Sequence, residues 1–261
     1  MIDKRVVMIT GAAGNLGLAT VKKYTDKGDA VVMVDVSEEK GRAKEKEFRS
    51  EGREVTFFAV DITDEAACRK LVNDVADLYG RIDVLCNNAA TICHADSFFA
   101  ITNEEFMRVL NINLVSQFTL CKLVARKMID LGTVNGVIIN TGSTSGFMGN
   151  EDAIVYAVSK AAVHSLTANV ARELAPYGIR CCALAPTAMN GIMKGSTMNP
   201  ADIPEYRELN MSNRVLETCE VANVSYFLST PEASAIRGSV VKVDDGYTEF
   251  KQRTFLTVDK G

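Results

Sequence analysis

The apolar run Arg5-Val6-Val7-Met8-Ile9-Thr10 leads into Gly11-Ala12-Ala13-Gly14-Asn15-Leu16-Gly17, after which Leu18, Val21 and Tyr24 recur at helical spacing. A strand, a glycine turn and a helix in that order constrain the chain to an α/β unit whose turn can cradle phosphate. Glycines let the backbone turn tightly and approach a ligand, and the helix amino terminus offers unpaired N–H groups and a partial positive charge. The next apolar run, Ala30–Val34, ends at Asp35, eighteen residues after Gly17. That is close to the offset of about 20 residues expected for an acid that binds an adenosine ribose. A carboxylate there accepts bonds from both ribose hydroxyls and repels a 2′-phosphate. The adjoining Val36-Ser37 adds no lysine or arginine, so the residues point to NAD rather than NADP.

Strand-like and helical patterns alternate along the rest of the chain. They predict a Rossmann-type, doubly wound parallel sheet with helices on both faces, in one domain spanning residues 1–261. A single α/β domain can reach this length, and 47% apolar residues suffice for its core. The formal charge of −4 comes from interleaved acids and bases, which argues against a nucleic-acid partner. No apolar run reaches the roughly 18 residues of a membrane span, and Met1–Arg5 does not resemble a signal peptide, so a cytoplasmic protein without a membrane partner is expected.

Chemistry is signalled by Ser143, Tyr156 and Lys160, spaced thirteen and four residues apart. A phenol with an ordinary pKa near 10 is a poor acid-base catalyst at neutral pH, and a nearby cation favours its phenolate. Residues four apart share a helix face. An ammonium a few Å away contributes about 4 kcal/mol at an effective dielectric near 20, which would bring Tyr156 toward 7. The same spacing recurs at Ser234, Tyr247 and Lys251, and context chooses between the two. Ser143 follows the strand-like run Val134–Asn140, at the carboxyl end where open sheets bind ligands. Ser234 precedes the run Ser239–Val243, at the opposite end.

With these motifs the chain resembles the compact, NAD-dependent type of short-chain dehydrogenase/reductase, from about Val6 to Gly246. Further support comes from Asp61 in Val60-Asp61-Ile62, from Asn87-Asn88-Ala89-Ala90, and from Asn113 in Asn111-Ile112-Asn113-Leu114. The resemblance implies a catalytic tetrad of Asn113, Ser143, Tyr156 and Lys160. Tyr156 would transfer the proton, Ser143 hold the substrate oxygen, Lys160 lower the tyrosine pKa and bind the nicotinamide ribose, and Asn113 hold a relay water. Cofactor contacts would come from Gly11, Asn15, Leu16, Gly17, Asp35, Asp61, Ile62, Asn88, Tyr156, Lys160 and the backbone of Met189. Several positions depart from the family pattern. Asn15 stands in place of the second glycine, where its tolerance of left-handed backbone would preserve the turn. Ala90 replaces a glycine, Leu184–Met189 replaces the usual Asn-Pro-Gly run, and Gly191 stands where a threonine is common.

Seven cysteines form no C-x-x-C pair, and buried reduced thiols account for them better than a metal or disulfides. His94 and His164 are too few and too far apart in sequence for a zinc site, so no metal is expected. His164 reads as structural, and His94, after the fourth strand, as a possible substrate contact. Apolar side chains populate the segments that set substrate choice: Phe98, Phe99, Phe147, Met148, Met189, Ile192, Met193 and Met198. Either they complete the core or an interface, or they line a pocket for a bulky hydrophobic secondary alcohol or its ketone, such as a hydroxysteroid, bile acid or cyclic alcohol. Gly191, Gly195 and Pro200 suggest a mobile lid over about 187–213. Alternatives are a 3-oxoacyl thioester reductase, a sugar-nucleotide epimerase or dehydratase relative suggested by the glycine spacing, and a catalytically silent NAD-binding regulator. The resemblance also implies a homotetramer or homodimer built on long helices near Asn103–Ile129 and Asp152–Ala175. The tail 247–261 would contact a neighbour or fray.

Overall fold

The computed structural model describes residues 4–93, 97–149, 153–208 and 210–249. Seven strands form one parallel sheet: β1 (Val6–Thr10), β2 (Ala30–Asp35), β3 (Val55–Ala59), β4 (Val84–Asn87), β5 (Val137–Thr141), β6 (Arg180–Pro186) and β7 (Val240–Val243). Their spatial order is β3-β2-β1-β4-β5-β6-β7, so the direction of winding reverses between β1 and β4. This is the expected doubly wound sheet. Strands β1, β4, β5 and β6 are buried along their whole length, as near-continuous apolar runs covered on both faces must be.

Alternation sorts the strand side chains between two cores. Val6, Met8, Val32, Leu85, Ile138 and Cys181 face one, whereas Val7, Ile9, Met33, Cys86, Ile139 and Cys182 face the other. The adjacent thiols of Cys181 and Cys182 therefore lie on opposite faces of the sheet. Helices α3 (Glu65–Tyr79) and α5 (Ser116–Asp130) cover the first core, and α1 (Asn15–Asp26) and α8 (Thr218–Leu228) help cover the second. Helix ends are set by local chemistry: Asp64 Oδ1 accepts from the Ala66 and Ala67 amides at the start of α3, and Gly80 closes that helix in left-handed conformation.

The long helix expected near 103–129 is α4 (Asn103–Leu110) running into α5 through a π turn at Asn111–Val115. The second is α6 (Ile154–Leu174); Asp152 and His94 lie outside the described residues, as do Lys251 and most of the tail. Five of the seven cysteines are buried as expected, but Cys219 is exposed and Cys93 half-buried. Among the described residues, no helix is long and apolar enough to cross a membrane.

Candidate active site

A cleft of about 1100 Å³ opens along the carboxyl edge of the sheet, lined by residues that follow β1 through β6. Carboxyl ends of parallel strands at a reversal of winding form the usual ligand crevice of such sheets. Gly11, Gly14 and Gly17 line one end of it with Asn15 and Leu16.

The glycine turn fits a phosphate-bearing ligand. Gly11 has φ +63°, a conformation that favours glycine, and a Cβ there would lie 2.8 Å from the Ala89 Cα. A Cβ on Gly17 would collide with the Gly11 carbonyl oxygen. Gly14 precedes α1 and has no side chain to cap it, so first-turn amides remain available to an anion. Asn15 corrects one expectation. It is the first residue of α1 rather than a left-handed turn residue, and its Nδ2 donates across the cleft to the Ile192 carbonyl at 3.1 Å.

Asp35 closes β2 beside this turn. Its Oδ2 accepts from the Ala13 amide at 3.1 Å and its Oδ1 from the Ser37 amide at 3.0 Å, which fixes the carboxylate at the cleft wall. Asp61 Oδ1 accepts from Thr63 N and Oγ1, and these bonds hold its pKa below the ordinary value. Ile62 is buried beside it and also lines the cleft. Asn88 Nδ2 donates to the Thr10 carbonyl at 3.0 Å and the Gly11 carbonyl at 3.3 Å, tying the exit of β4 to the glycine turn.

Ser143, Tyr156 and Lys160 all line this cleft. Ser143 lies just after β5, with its Oγ accepting from the Ser145 amide at 3.1 Å and in hydrogen-bond contact with Tyr156. Lys160, fully buried one turn after Tyr156 on α6, lies 5.4 Å from the phenol ring centroid and donates to the Thr141 carbonyl at 2.7 Å. The electrostatics differ from the expectation. Burial raises Tyr156 above the ordinary tyrosine value, opposed by the bond to Ser143. Burial also brings Lys160 down to about 7, so desolvation opposes the charged form of both groups.

The Asn113 side chain is engaged by protein neighbours through both its oxygen and its nitrogen. It is wholly buried; Oδ1 accepts from Thr91 N at 2.8 Å, and Nδ2 donates to Thr91 O at 2.9 Å and to Ser159 Oγ at 3.0 Å. Its side chain therefore fastens the segment after β4 to the Tyr156–Lys160 helix. The surrounding π turn carries an i+5 bond from Ser116 N to Asn111 O, which interrupts the regular carbonyl ladder at this point.

Met189 forms a bridge with Leu216: Leu216 N donates to Ala188 O at 3.1 Å and Asn190 N to Leu216 O at 2.8 Å. These bonds use the neighbours of Met189 and leave its own backbone groups outside the pairing. Met189, Ile192, Met193 and Met198 all line the cleft. Phe98 and Phe99 do not; they are exposed and pack edge to face on each other. Phe147 stacks on His164 with centroids 4.4 Å apart. His164 is pressed against Gly142 and Gly146 on either side of Ser143, and burial lowers its pKa to about 4.

Residues 5–201 match the short chain dehydrogenase family. The chain belongs to that family. It is 34% identical to a levodione reductase of Leifsonia aquatica over 93% of each chain. It is 33% identical to a 3-oxoacyl-[acyl-carrier-protein] reductase of Thermotoga maritima over 94% of this chain and 98% of that protein. The structure of an NAD+-bound xylitol dehydrogenase superposes with a TM-score of 0.84 at 30% identity, over 92% of this chain and 97% of the other. Short-chain dehydrogenases are oxidoreductases that use a nicotinamide cofactor on small molecules.

Sequence reasoning missed several parts of this dehydrogenase's site. Thr91 and Ser159 hold Asn113, and Thr10 Oγ1 accepts from the Asn88 and Ala89 amides at 3.0 Å each. A threonine ending an apolar strand was the available signal for Thr10. Tyr247, read as part of a polar tail, lines the cleft together with Ile203 and Tyr206. Its partner in the repeated spacing, Ser234, lies before β7 at the opposite end of the sheet, so Ser234 and Tyr247 are not brought together at the cleft.

Proposed function

We propose that this short-chain dehydrogenase interconverts a bulky, hydrophobic secondary alcohol and its ketone with NAD(H), using Ser143, Tyr156 and Lys160 with Asn113 as their support. The observation that carries the reading is the convergence of Ser143, Tyr156 and Lys160 in the same cleft as the glycine turn and Asp35. The Ser143 and Tyr156 hydroxyls would hold the ketone oxygen in reduction, and in oxidation the Tyr156 phenolate would accept the alcohol proton, returning to the neutral phenol, while Ser143 keeps hold of the oxygen. The nicotinamide, when bound, supplies the hydride acceptor and a positive charge. Lys160 would hold the nicotinamide ribose, while Asn113 keeps the segment after β4 fastened to α6.

Support for NAD over NADP comes from Asp35 at the cleft wall with exposed Val36 beside it. Asp35→Asn is expected to reduce the preference for NAD over NADP at least about tenfold, one close charge repulsion being worth roughly 1.4 kcal/mol or more. Titration of the purified protein with both dinucleotides checks this, and an unchanged ratio would remove Asp35 as the discriminator. The apolar lining by Ile192, Met193, Met198 and Ile203 supports a large hydrophobic substrate. A homo-oligomer fits the exposed Met107, Val115, Phe118, Ile154 and Val158 on the long helices, and a cytoplasmic setting fits five buried free thiols.

The raised pKa of Tyr156 sets the pH dependence. Its proton is retained at neutral pH and lost only in alkali, so oxidation should accelerate as pH rises and reduction should slow. Initial rates in both directions across pH check this; an oxidation rate that falls with rising pH, without unfolding, would contradict it. The substrate class is tested by following nicotinamide absorbance with hydroxysteroids, bile acids, cyclic alcohols and a 3-hydroxyacyl thioester, with NAD and NADP separately. Turnover confined to the thioester with NADP would reject the proposed substrate and cofactor together.

A further inference from the structure

Residues 190–195 form a strap that crosses the cleft from one wall to the other. At one wall Asn15 Nδ2 donates to the Ile192 carbonyl at 3.1 Å. Gly191, with φ +115°, approaches so closely that a Cβ there would collide with the Asn15 amide. At the other wall the Lys194 carbonyl accepts from Ile92 N at 3.2 Å and from Thr91 Oγ1 at 3.3 Å. Gly195, with φ +91°, packs where a Cβ would collide with the Ile92 carbonyl. Two glycines in left-handed conformation thus lay main chain directly on the glycine turn and on the segment leaving β4. Asn199 braces the strap, its Oδ1 accepting from Gly191 N at 2.8 Å and its Nδ2 donating to Asn190 Oδ1 at 3.1 Å.

The cations of the cleft are unequally available. Arg108 is forked onto Glu105 through two bonds of 2.7 Å, and Lys160 is buried against Thr141. The glycine turn from Gly11 to Gly17 contains no lysine or arginine. Lys194 lines the cleft together with Asp61, forms no ion pair among the described residues, and lies near enough for its charge to help lower the Asp61 pKa.

We propose that Lys194 is the side-chain cation for the dinucleotide's pyrophosphate, and that Asn15 is the latch holding its strap across the cleft. The inference rests on the dinucleotide reading and adds a clamp to the glycine cradle. Asn15 then has a purpose that a glycine at the same position cannot serve: its amide joins the phosphate turn to the strap, so that cofactor release requires this bond to open.

The test measures binding by the purified full-length protein. NADH is titrated by fluorescence, and ADP and adenosine by calorimetry, for wild type, Lys194→Met and Asn15→Ala, with circular dichroism to verify folding. Lys194→Met is expected to weaken NADH and ADP about tenfold, the scale of one charge-assisted hydrogen bond, to reduce the salt dependence of both, and to leave adenosine unchanged. Asn15→Ala is expected to speed NADH dissociation several-fold in stopped flow. Equal weakening of adenosine would assign Lys194 to Asp61 and overturn the pyrophosphate role, as would unchanged NADH affinity. An unchanged dissociation rate in Asn15→Ala would overturn the latch. If the wild type binds neither NADH nor ADP, the dinucleotide reading itself fails, an outcome distinct from any difference between variants.

Discussion

Tyr156→Phe is expected to lower turnover about a hundredfold or more while leaving the fold and NAD affinity nearly unchanged, the usual scale for loss of a general acid-base group. The substitution removes one oxygen from a half-buried ring and retains the ring beside Lys160 Nζ. The loss therefore falls on proton transfer and on the hold over the substrate oxygen rather than on packing. Steady-state rates with an alcohol substrate, together with an NADH titration, separate these effects. Equal losses in turnover and cofactor affinity would mean that the hydroxyl shapes the site instead of reacting in it.

Gly17→Ala is expected to abolish most dinucleotide binding. The added methyl would collide with the Gly11 carbonyl and crowd the Ala12 Cα, both backbone atoms that no rotamer change can move. Overpacking of this kind costs about 3 kcal/mol, roughly a hundredfold if it falls on the binding-competent turn. Some of that cost will fall on folding, since α1 packs extensively against α8, so thermal melting should be recorded with the NADH titration. A variant that binds NADH as tightly as wild type would show that the turn can relax and is not a preformed cradle. Gly52, whose Cβ would meet nothing, is a suitable comparison site for the general effect of replacing a glycine, although its φ of +78° adds strain of its own.

The sequence made the sheet legible because β1, β2, β4, β5 and β6 are short apolar runs separated by helical periodicity, and parallel strands buried on both faces leave that trace. It located Ser143, Tyr156 and Lys160 because their spacing follows from a strand end and one helical turn. It did not reveal the π turn at Asn111–Val115: one extra residue in a helical turn leaves the apolar pattern almost unchanged. Nor did it reveal the Asn113–Thr91–Ser159 clamp, which joins residues distant in sequence. Phe98 and Phe99 were indistinguishable from pocket residues, because hydrophobicity does not specify which way a loop side chain turns. The depressed tyrosine pKa was an argument from proximity alone. It omitted the desolvation of Tyr156 and Lys160, which opposes ionisation of both groups.

Hydride transfer is the central claim, and isotope tracing tests it most directly. Hydroxysteroids and cyclic alcohols carrying deuterium at the carbinol carbon are incubated with the purified protein and NAD, and the reduced nicotinamide is examined by mass spectrometry and NMR. The account predicts deuterium at nicotinamide C4 with the wild type and its near absence with Tyr156→Phe. Tight NAD binding with no deuterium transferred from any alcohol of the panel would contradict it.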